Sequence, residues 1–293
     1  MRILRVAPIP LVIVTALLAV YAQPLPAQTV VYLPGAANTA GLGGAQFRTR
    51  VFILAYGSRT PVIVNVSAAT PGGLLTPASV VIPDDSLSYS SENILDDLFH
   101  YAGGAALSFT VDPSSRGLGL VVRAEVYTDG PFGEMSTPVP VLTSADSVPP
   151  PWNPIFTSLT SEQNLVSQSI GVRSDSGHRM NVACSNFSPN TVIVDAGIYS
   201  TGSVMEPSAQ NWYHNFSLSP GQWSQVAVDS TGTPDGIGLP VFSNGIVRFY
   251  AFAPPGVANI GPVFCYAVIV NNASNDGTVV TPTLSVFPNF HVY

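Results

Sequence analysis

Lysine is absent from the 293 residues, and all ten basic side chains are arginines, set against seventeen acids. A surface so short of cations cannot gather many phosphates, which argues against nucleic acid and against anionic membrane surfaces as partners. Glutamate is scarce as well. Glu92, Glu125, Glu134, Glu162 and Glu206 are the complete set, too dispersed to nominate the facing carboxyl pair of a glycosidase. There are only two cysteines, with no Cys-x-x-Cys and no histidine at ligand spacing, so neither a zinc site nor a catalytic thiol is indicated. No Gly-x-Ser-x-Gly elbow and no His-Glu-x-x-His occurs, and Gly41-Leu42-Gly43-Gly44 lacks the Gly-Lys-Ser/Thr of a phosphate loop. Beyond the first 28 residues no apolar run approaches the roughly 20 residues of a spanning helix. Pro and Gly also interrupt the chain too often for the regular ten-residue spans of an outer-membrane barrel.

The first 28 residues follow the grammar of a secretory signal peptide. Arg2 and Arg5 supply a positive start, Leu11 to Val20 is apolar except for Thr15, and small residues follow at Ala22 and Ala27. Removal of residues 1–28 leaves about 265, enough for two domains of ordinary size. It also removes two of the ten arginines, so the net charge of −7 becomes more negative still.

What is there is repetition. Phe47-Arg48-Thr49-Arg50-Val51-Phe52-Ile53-Leu54, a turn, and Pro61-Val62-Ile63-Val64 return as His178-Arg179-Met180-Asn181-Val182-Ala183-Cys184-Ser185, a turn, and Thr191-Val192-Ile193-Val194. Likewise Leu120–Tyr127 returns as Val263–Val270. Ordered apolar runs with drifting spacers indicate a duplicated folding unit whose loops changed length. With 27 prolines and 25 glycines, the chain reads as many short strands joined by turns. The predicted organisation is a β-sandwich over 29–146, a Pro-rich linker over 147–154 and a second β-sandwich over 155–293. Four prolines in Ser147-Val148-Pro149-Pro150-Pro151-Trp152-Asn153-Pro154 cannot continue a sheet.

Within each copy, nearly continuous apolar runs predict central strands, and Gly57-Ser58 and Ser188-Pro189-Asn190 predict turns that close hairpins between them. Further strands are expected at Ala78–Ile82, Ala105–Val111 and Leu118–Tyr127. Their counterparts are Tyr213–Leu218, Gly245–Phe252 and Val263–Asn271. One short helix is expected within Ser91–Phe99, where Leu95, Leu98 and Phe99 share a face.

Aligning the copies sets Cys184 opposite Ile53 and Cys265 opposite Val122. Two cysteines standing where the other copy has two aliphatics predict a disulfide across the core of the second domain, permitted by export into an oxidising compartment. Two buried free thiols behaving as small apolar side chains are the other reading.

Tyr32-Leu33-Pro34-Gly35-Ala36-Ala37, the Gly41–Thr49 segment, and Gly130–Met135 followed by Pro138-Val139-Pro140 resemble the first half of a widespread type of secreted bacterial protein. Leu218–Gln225, Cys265–Asn272 and Asn275-Asp276-Gly277 are similar to its second half. This chain departs from that pattern at Phe47, where a Trp is frequent. The resemblance implies tandem immunoglobulin-like antiparallel β-sandwiches on or outside the cell, and it brings no catalytic residues with it. The Asn-x-Ser matches at Asn65, Asn186, Asn215 and Asn272 are then chance matches in a bacterial setting.

The remaining candidates are modest. His100, His178, His214 and His291 are scattered, and no catalytic, cofactor-binding or metal-binding residue is nominated. Asp84-Asp85 and Asp96-Asp97 are paired carboxylates that could hold calcium, but neither follows the Asp-x-Asp-x-Asp-Gly pattern, and turn or helix-end chemistry explains both pairs as well. Trp212 and Trp223, within a dense run of aromatics in the second domain, are the candidate ligand contacts, because exposed aromatics stack on sugars or anchor protein contacts; a sandwich core needs such side chains as well, and packing inward is the default reading. The chain is therefore expected to be a secreted, extracellular or periplasmic structural or adhesive protein. Its partners would be extracellular protein or polysaccharide. A carbohydrate-binding module is the first alternative. A hydrolase is the second, and it needs carboxylates and a histidine converging in a cleft, most naturally between the domains.

Overall fold

Burial alternates with period two along strands such as Val62–Thr70 and Phe242–Phe252, and the computed structural model is all-β. It describes residues 30–41, 44–57, 61–83, 86, 88–115, 117–130, 133–148, 164–200, 210–228, 242–252, 261–274 and 277–287. The signal segment, most of the Pro-rich linker, His291 and the Asp84-Asp85 pair lie outside the described residues.

The first half contains β1 (Val30–Ala40), β2 (Gln46–Gly57), β3 (Val62–Thr70), β4 (Gly73–Leu74), β5 (Ala78–Ile82) and β6 (Ser88–Ser91). The helix α1 (Ile94–Phe99) follows, then β7 (Gly103–Val111), β8 (Gly117–Gly130) and β9 (Gly133–Val139). Two antiparallel layers face each other, β5-β3-β7-β1 and β6-β2-β8-β9. Residues 51, 53 and 55 of β2 and residues 62, 64 and 66 of β3 are buried between them. Ile94 and Leu95 of α1 complete this core. At roughly 1.5–3 kcal/mol for each large apolar side chain buried, this stripe is the main stabilising term of the half.

The second half contains β10 (Asn164–Ser174), β11 (His178–Asn186), β12 (Val192–Ser200), β13 (Gln210–Leu218) and β14 (Gln222–Ala227). It ends with β15 (Phe242–Phe252), β16 (Val263–Asn271), β17 (Gly277–Val280) and β18 (Thr283–Phe287). Its layers are β14-β11-β16-β17 and β13-β12-β15-β10-β18, around a core of its own. Strand by strand the pairings repeat those of the first half. β2 lies between β6 and β8, as β11 lies between β14 and β16. β7 lies between β3 and β1, as β15 lies between β12 and β10. The duplication visible in the sequence is thus a duplication of connectivity. The strand order is not that of a constant-type immunoglobulin domain, where the opening strand lies beside the second. Here β1 runs beside β7 and meets β2 only over Asn38–Ala40.

The expected hairpins are not formed. β2 and β3 share no register, nor do β11 and β12; each pair instead crosses from one layer to the other. The Gly-Ser and Ser-Pro-Asn turns serve a corner between layers as readily as a hairpin, and strands on opposing layers carry the same inward alternation.

The disulfide Cys184–Cys265 is present, but it joins neighbouring strands of one layer instead of crossing the core. The two residues are direct register partners on β11 and β16, with Cα atoms 4.1 Å apart and side chains facing the second core.

The halves are stacked layer on layer. Outward residues of β3, β7 and β1 in the first half meet outward residues of β11, β14 and β16 in the second. A parallel bridge between Thr70 and Gln222 makes one thirteen-stranded sheet of the connected layers. Ser147 and Val148, expected as linker, are fastened to Val263 by hydrogen bonds of 2.8–3.1 Å.

Candidate functional site

The junction between the halves is built from small residues on one side and large aromatics on the other. Gly35, Ala69, Gly104 and Ala106 form a flat floor on the first half, and Trp223 and Tyr266 of the second half sit on it. A β-carbon at Gly104 would come within 2.4 Å of the Trp223 ring, and one at Gly35 within 2.3 Å of the Tyr266 oxygen. Only glycine allows that approach. The Trp223 indole N–H donates to the Tyr266 hydroxyl at 3.3 Å. Complete burial pushes the Tyr266 phenol well above its ordinary range, so it remains neutral. Tyr32, Phe187 and Phe264 extend the contact, with ring centroids 4.6–6.3 Å apart. Gln222 adds a hydrogen bond from its amide nitrogen to the Pro71 carbonyl, 3.1 Å long.

Beside this junction lies a cleft of about 530 Å3. Phe47, Tyr127 and Met135 wall it from the first half, and Trp223, Tyr266 and Val268 from the second. Arg179, Asn181 and Gln225 supply its polar groups from the outward faces of β11 and β14. Arg179 also donates to Asn272 at 3.2 Å. Thr128, buried at the cleft wall, has a hydroxyl with no hydrogen-bond partner. The size and mixed lining suit non-covalent binding of a small amphipathic molecule. Among the described lining residues there is no carboxylate, histidine or cysteine, so no acid–base pair converges there.

The sequence-nominated aromatics are not on the surface. Trp212 is 1% exposed and belongs to the second core. Trp223 is 7% exposed and is held against Gly104. Neither offers a free face for stacking on a sugar. In Trp212-Tyr213 the strand alternation sends Trp212 inward with Phe216 and Leu218 and turns Tyr213 outward. That parity was available in the sequence. The burial of Trp223 was not, because its residue faces away from its own core and is covered by the other half.

Three of the five glutamates do come together, contrary to the expectation of dispersal. Glu92, Glu125 and Glu134 surround Arg50 at 2.6, 2.7 and 3.0 Å. Arg50 and Glu125 are register partners on β2 and β8, and the β8–β9 turn returns Glu134 to the same spot. The guanidinium also lies 4.5 Å from the Tyr127 ring centre. Arg50 holds the Glu134 carboxyl below its ordinary range. A carboxyl held down in this way, as Glu134 is, is suited to anchoring strands and poorly suited to donating a proton.

The described histidines occupy structural positions. His178 pairs with Asp175 at 2.8 Å across the β10–β11 turn, beside Arg173, and this pairing is the main cause of the lowered Asp175 pKa. His214 packs between Trp212 and Phe216, and burial lowers its pKa. His100 caps α1 in the left-handed conformation. Asp97 accepts from the Ser91 hydroxyl at 2.6 Å. Among the described residues no three metal-ligating side chains gather.

Among the described residues, eight large apolar side chains are exposed, and six of them lie on two outer faces. Phe52, Leu54 and Val121 project from the β2–β8 layer of the first half. Ile170, Ile193 and Tyr213 project from the β10–β12–β13 layer of the second.

No family model matches the chain, and no curated protein matches it. Among solved structures, it is similar at a TM-score of 0.23 and 11% identity to the Streptomyces avermitilis alpha-L-rhamnosidase complexed with L-rhamnose, over 91% of this chain. It spans about a quarter, 26%, of that enzyme. A T13 IBDV viral particle matches at a TM-score of 0.22 and 11% identity, over 89% of this chain and 74% of the viral one. Likenesses this slight carry no argument about fold or activity.

Proposed function

We propose that the chain is an exported, non-catalytic structural or adhesive protein made of two related β-sandwiches, an immunoglobulin-like architecture in the broad sense of paired antiparallel layers. The observation that carries this reading is the side-by-side exposure of Phe52, Leu54 and Val121 on the β2–β8 sheet face. Flat apolar faces suit macromolecular contact, whereas chemistry needs recessed and converging groups. Export fits the disulfide, which persists in oxidising compartments. Among the described residues no helix is long and apolar enough to cross a membrane. Extracellular protein or polysaccharide is the partner class proposed. The test is binding of the purified chain to a panel of surface polysaccharides and matrix proteins, with release of product monitored in the same wells. Retention without turnover is expected. Turnover abolished by a point substitution would overturn the reading.

The cleft favours a second reading, capture of a small amphipathic ligand or sugar between the halves. In place of the stacking surfaces expected of Trp212 and Trp223, it uses Tyr127, Phe47 and the amides of Asn181 and Gln225. Calorimetric titration with an oligosaccharide panel tests it, with N181A expected to weaken any binding at least tenfold.

A further inference from the structure

β1 and β9 are the edge strands of the two layers of the first half, and the cleft lies where β11, β16 and β17 of the second half cover the opening between them. On that second-half wall the outward residues form successive rungs. Tyr266 stands beside Ala183, then Val268 and Val279 beside Asn181, then Val270 and Gly277 beside Arg179. From Ala183 to Arg179 is about 13 Å of strand. An apolar track thus runs from the Trp223–Tyr266 contact to the guanidinium. The Thr137 hydroxyl donates to the Gly277 carbonyl, which sets the Val126–Thr137 pair of the first half against the Arg179 rung. Thr128 is the next inward residue after Val126, one strand step from that rung.

The lining selects among amphipathic ligands. Stacking on a sugar is poorly served, because the aromatic rings already hold protein groups. Trp223 lies on Gly104, Phe47 lies within 2.3 Å of where a β-carbon of Gly41 would stand, and the Arg50 guanidinium covers Tyr127. A saturated chain needs no free ring face and gains from apolar contact along its length. Arg179 is the only charged side chain among the described lining residues. The Asn272 oxygen it donates to belongs to an uncharged amide, so that bond orients the guanidinium without cancelling its charge. A guanidinium has five N–H donors, enough to keep its protein contacts and receive an anionic group. Thr128 is a second, independent sign of a ligand. It is 2% exposed, and its hydroxyl is buried without a hydrogen-bond partner. A buried hydroxyl left unpaired is unfavourable, and an acceptor oxygen in the cleft relieves it.

We propose that the cleft holds an anionic single-chain amphiphile of the fatty-acid type, its acyl chain on the Val268–Val279–Val270 track and its carboxylate accepting from Arg179 and the Thr128 hydroxyl. The proposal rests on the reading of the cleft as a capture site and narrows it to one ligand class. It is independent of the adhesive reading, which uses the outer face of β2 and β8.

The test is calorimetric titration of the purified chain with decanoate below its micelle concentration, with decanol and the oligosaccharide panel as comparison ligands. Decanoate is expected to bind at one site, and decanol about tenfold more weakly. R179Q should bring decanoate down to the level of decanol. T128V should melt above the wild type when empty, because it deletes an unpaired buried hydroxyl, and yet bind decanoate about fivefold more weakly. V268W, which fills the track, should abolish binding of both, with near-ultraviolet circular dichroism confirming the fold of each variant. Decanoate binding that survives R179Q, or a T128V that weakens nothing, overturns the inference. So does loss of decanoate binding in F52D, which would put the amphiphile on the exposed β2–β8 face. Oligosaccharides that bind and are weakened by N181A, where decanoate does not bind, would sink the anionic amphiphile and leave capture in the cleft standing. Failure of every ligand to bind would sink both.

Discussion

Cys184 and Cys265 face each other across β11 and β16 in the same register that Ile53 and Val122 occupy across β2 and β8. The first pair is disulfide-bonded and the second is an aliphatic contact, and all four side chains point into a core. One structural position is thus filled by a covalent bond in one half and by packing in the other.

The bond closes a loop with a sequence separation of 81. The loop-entropy account values such a closure at roughly 4 kcal/mol. Denaturant titrations with and without reductant should show the second half losing stability on reduction. The double substitution Cys184→Ile with Cys265→Val, which copies the first half, should recover part of the loss, and Cys184→Ala with Cys265→Ala should not. Thiol titration of the non-reduced chain should find none.

Arg50 predicts a pH signature. Glu134 has a carboxyl held below its ordinary value of 4.5 by Arg50. A group with a depressed folded-state pKa contributes stability above its unfolded value and loses it as pH falls through the folded one. Arg50→Gln removes that contribution and leaves Glu92, Glu125 and Glu134 crowded. The variant should melt below the wild type at neutral pH, and the gap should narrow as pH drops below about 4.5. Thermal melts across that range check it, and a gap that widens in acid would refute the assignment.

Trp212 and Tyr213 are neighbours with opposite environments, so truncation should separate them. Trp212→Ala opens a cavity in the second core and should cost about 3–5 kcal/mol. Trp212→Phe should cost clearly less, since it also removes an indole N–H that is buried without a partner. Tyr213→Ala, at an exposed site, should stay within about 0.5 kcal/mol even though the Tyr213 hydroxyl donates to Asp195. Chemical denaturation resolves all three.

Legibility followed distance along the chain. β5 and β16 have the bounds expected from their apolar runs, Ala78–Ile82 and Val263–Asn271, because an apolar run bounded by turn residues announces a strand locally, whether mostly buried as in β16 or alternating as in β5. β10, β14 and β17 were not anticipated. They are short or rich in Ser, Gln and Asn, and they gain their place by pairing with the strands beside them. The Arg50 cluster and the burial of Trp223 depend on partners 42 or more residues away. No window of sequence contains them. The pairing of the two cysteines was legible because the chain carries its own alignment, but their place on neighbouring strands of one layer was not.

The joining of the halves through a glycine floor is tested most directly by the coupling energy between Gly104 and Trp223. Gly104→Ala should destabilise the wild type by about 1–3 kcal/mol, because the added methyl meets the indole. In the Trp223→Ala background the same change should be nearly neutral, giving a coupling of about 1–3 kcal/mol in a double-mutant cycle. Additivity within about 0.5 kcal/mol would mean that the two residues do not touch, and the stacked arrangement of the halves would be wrong.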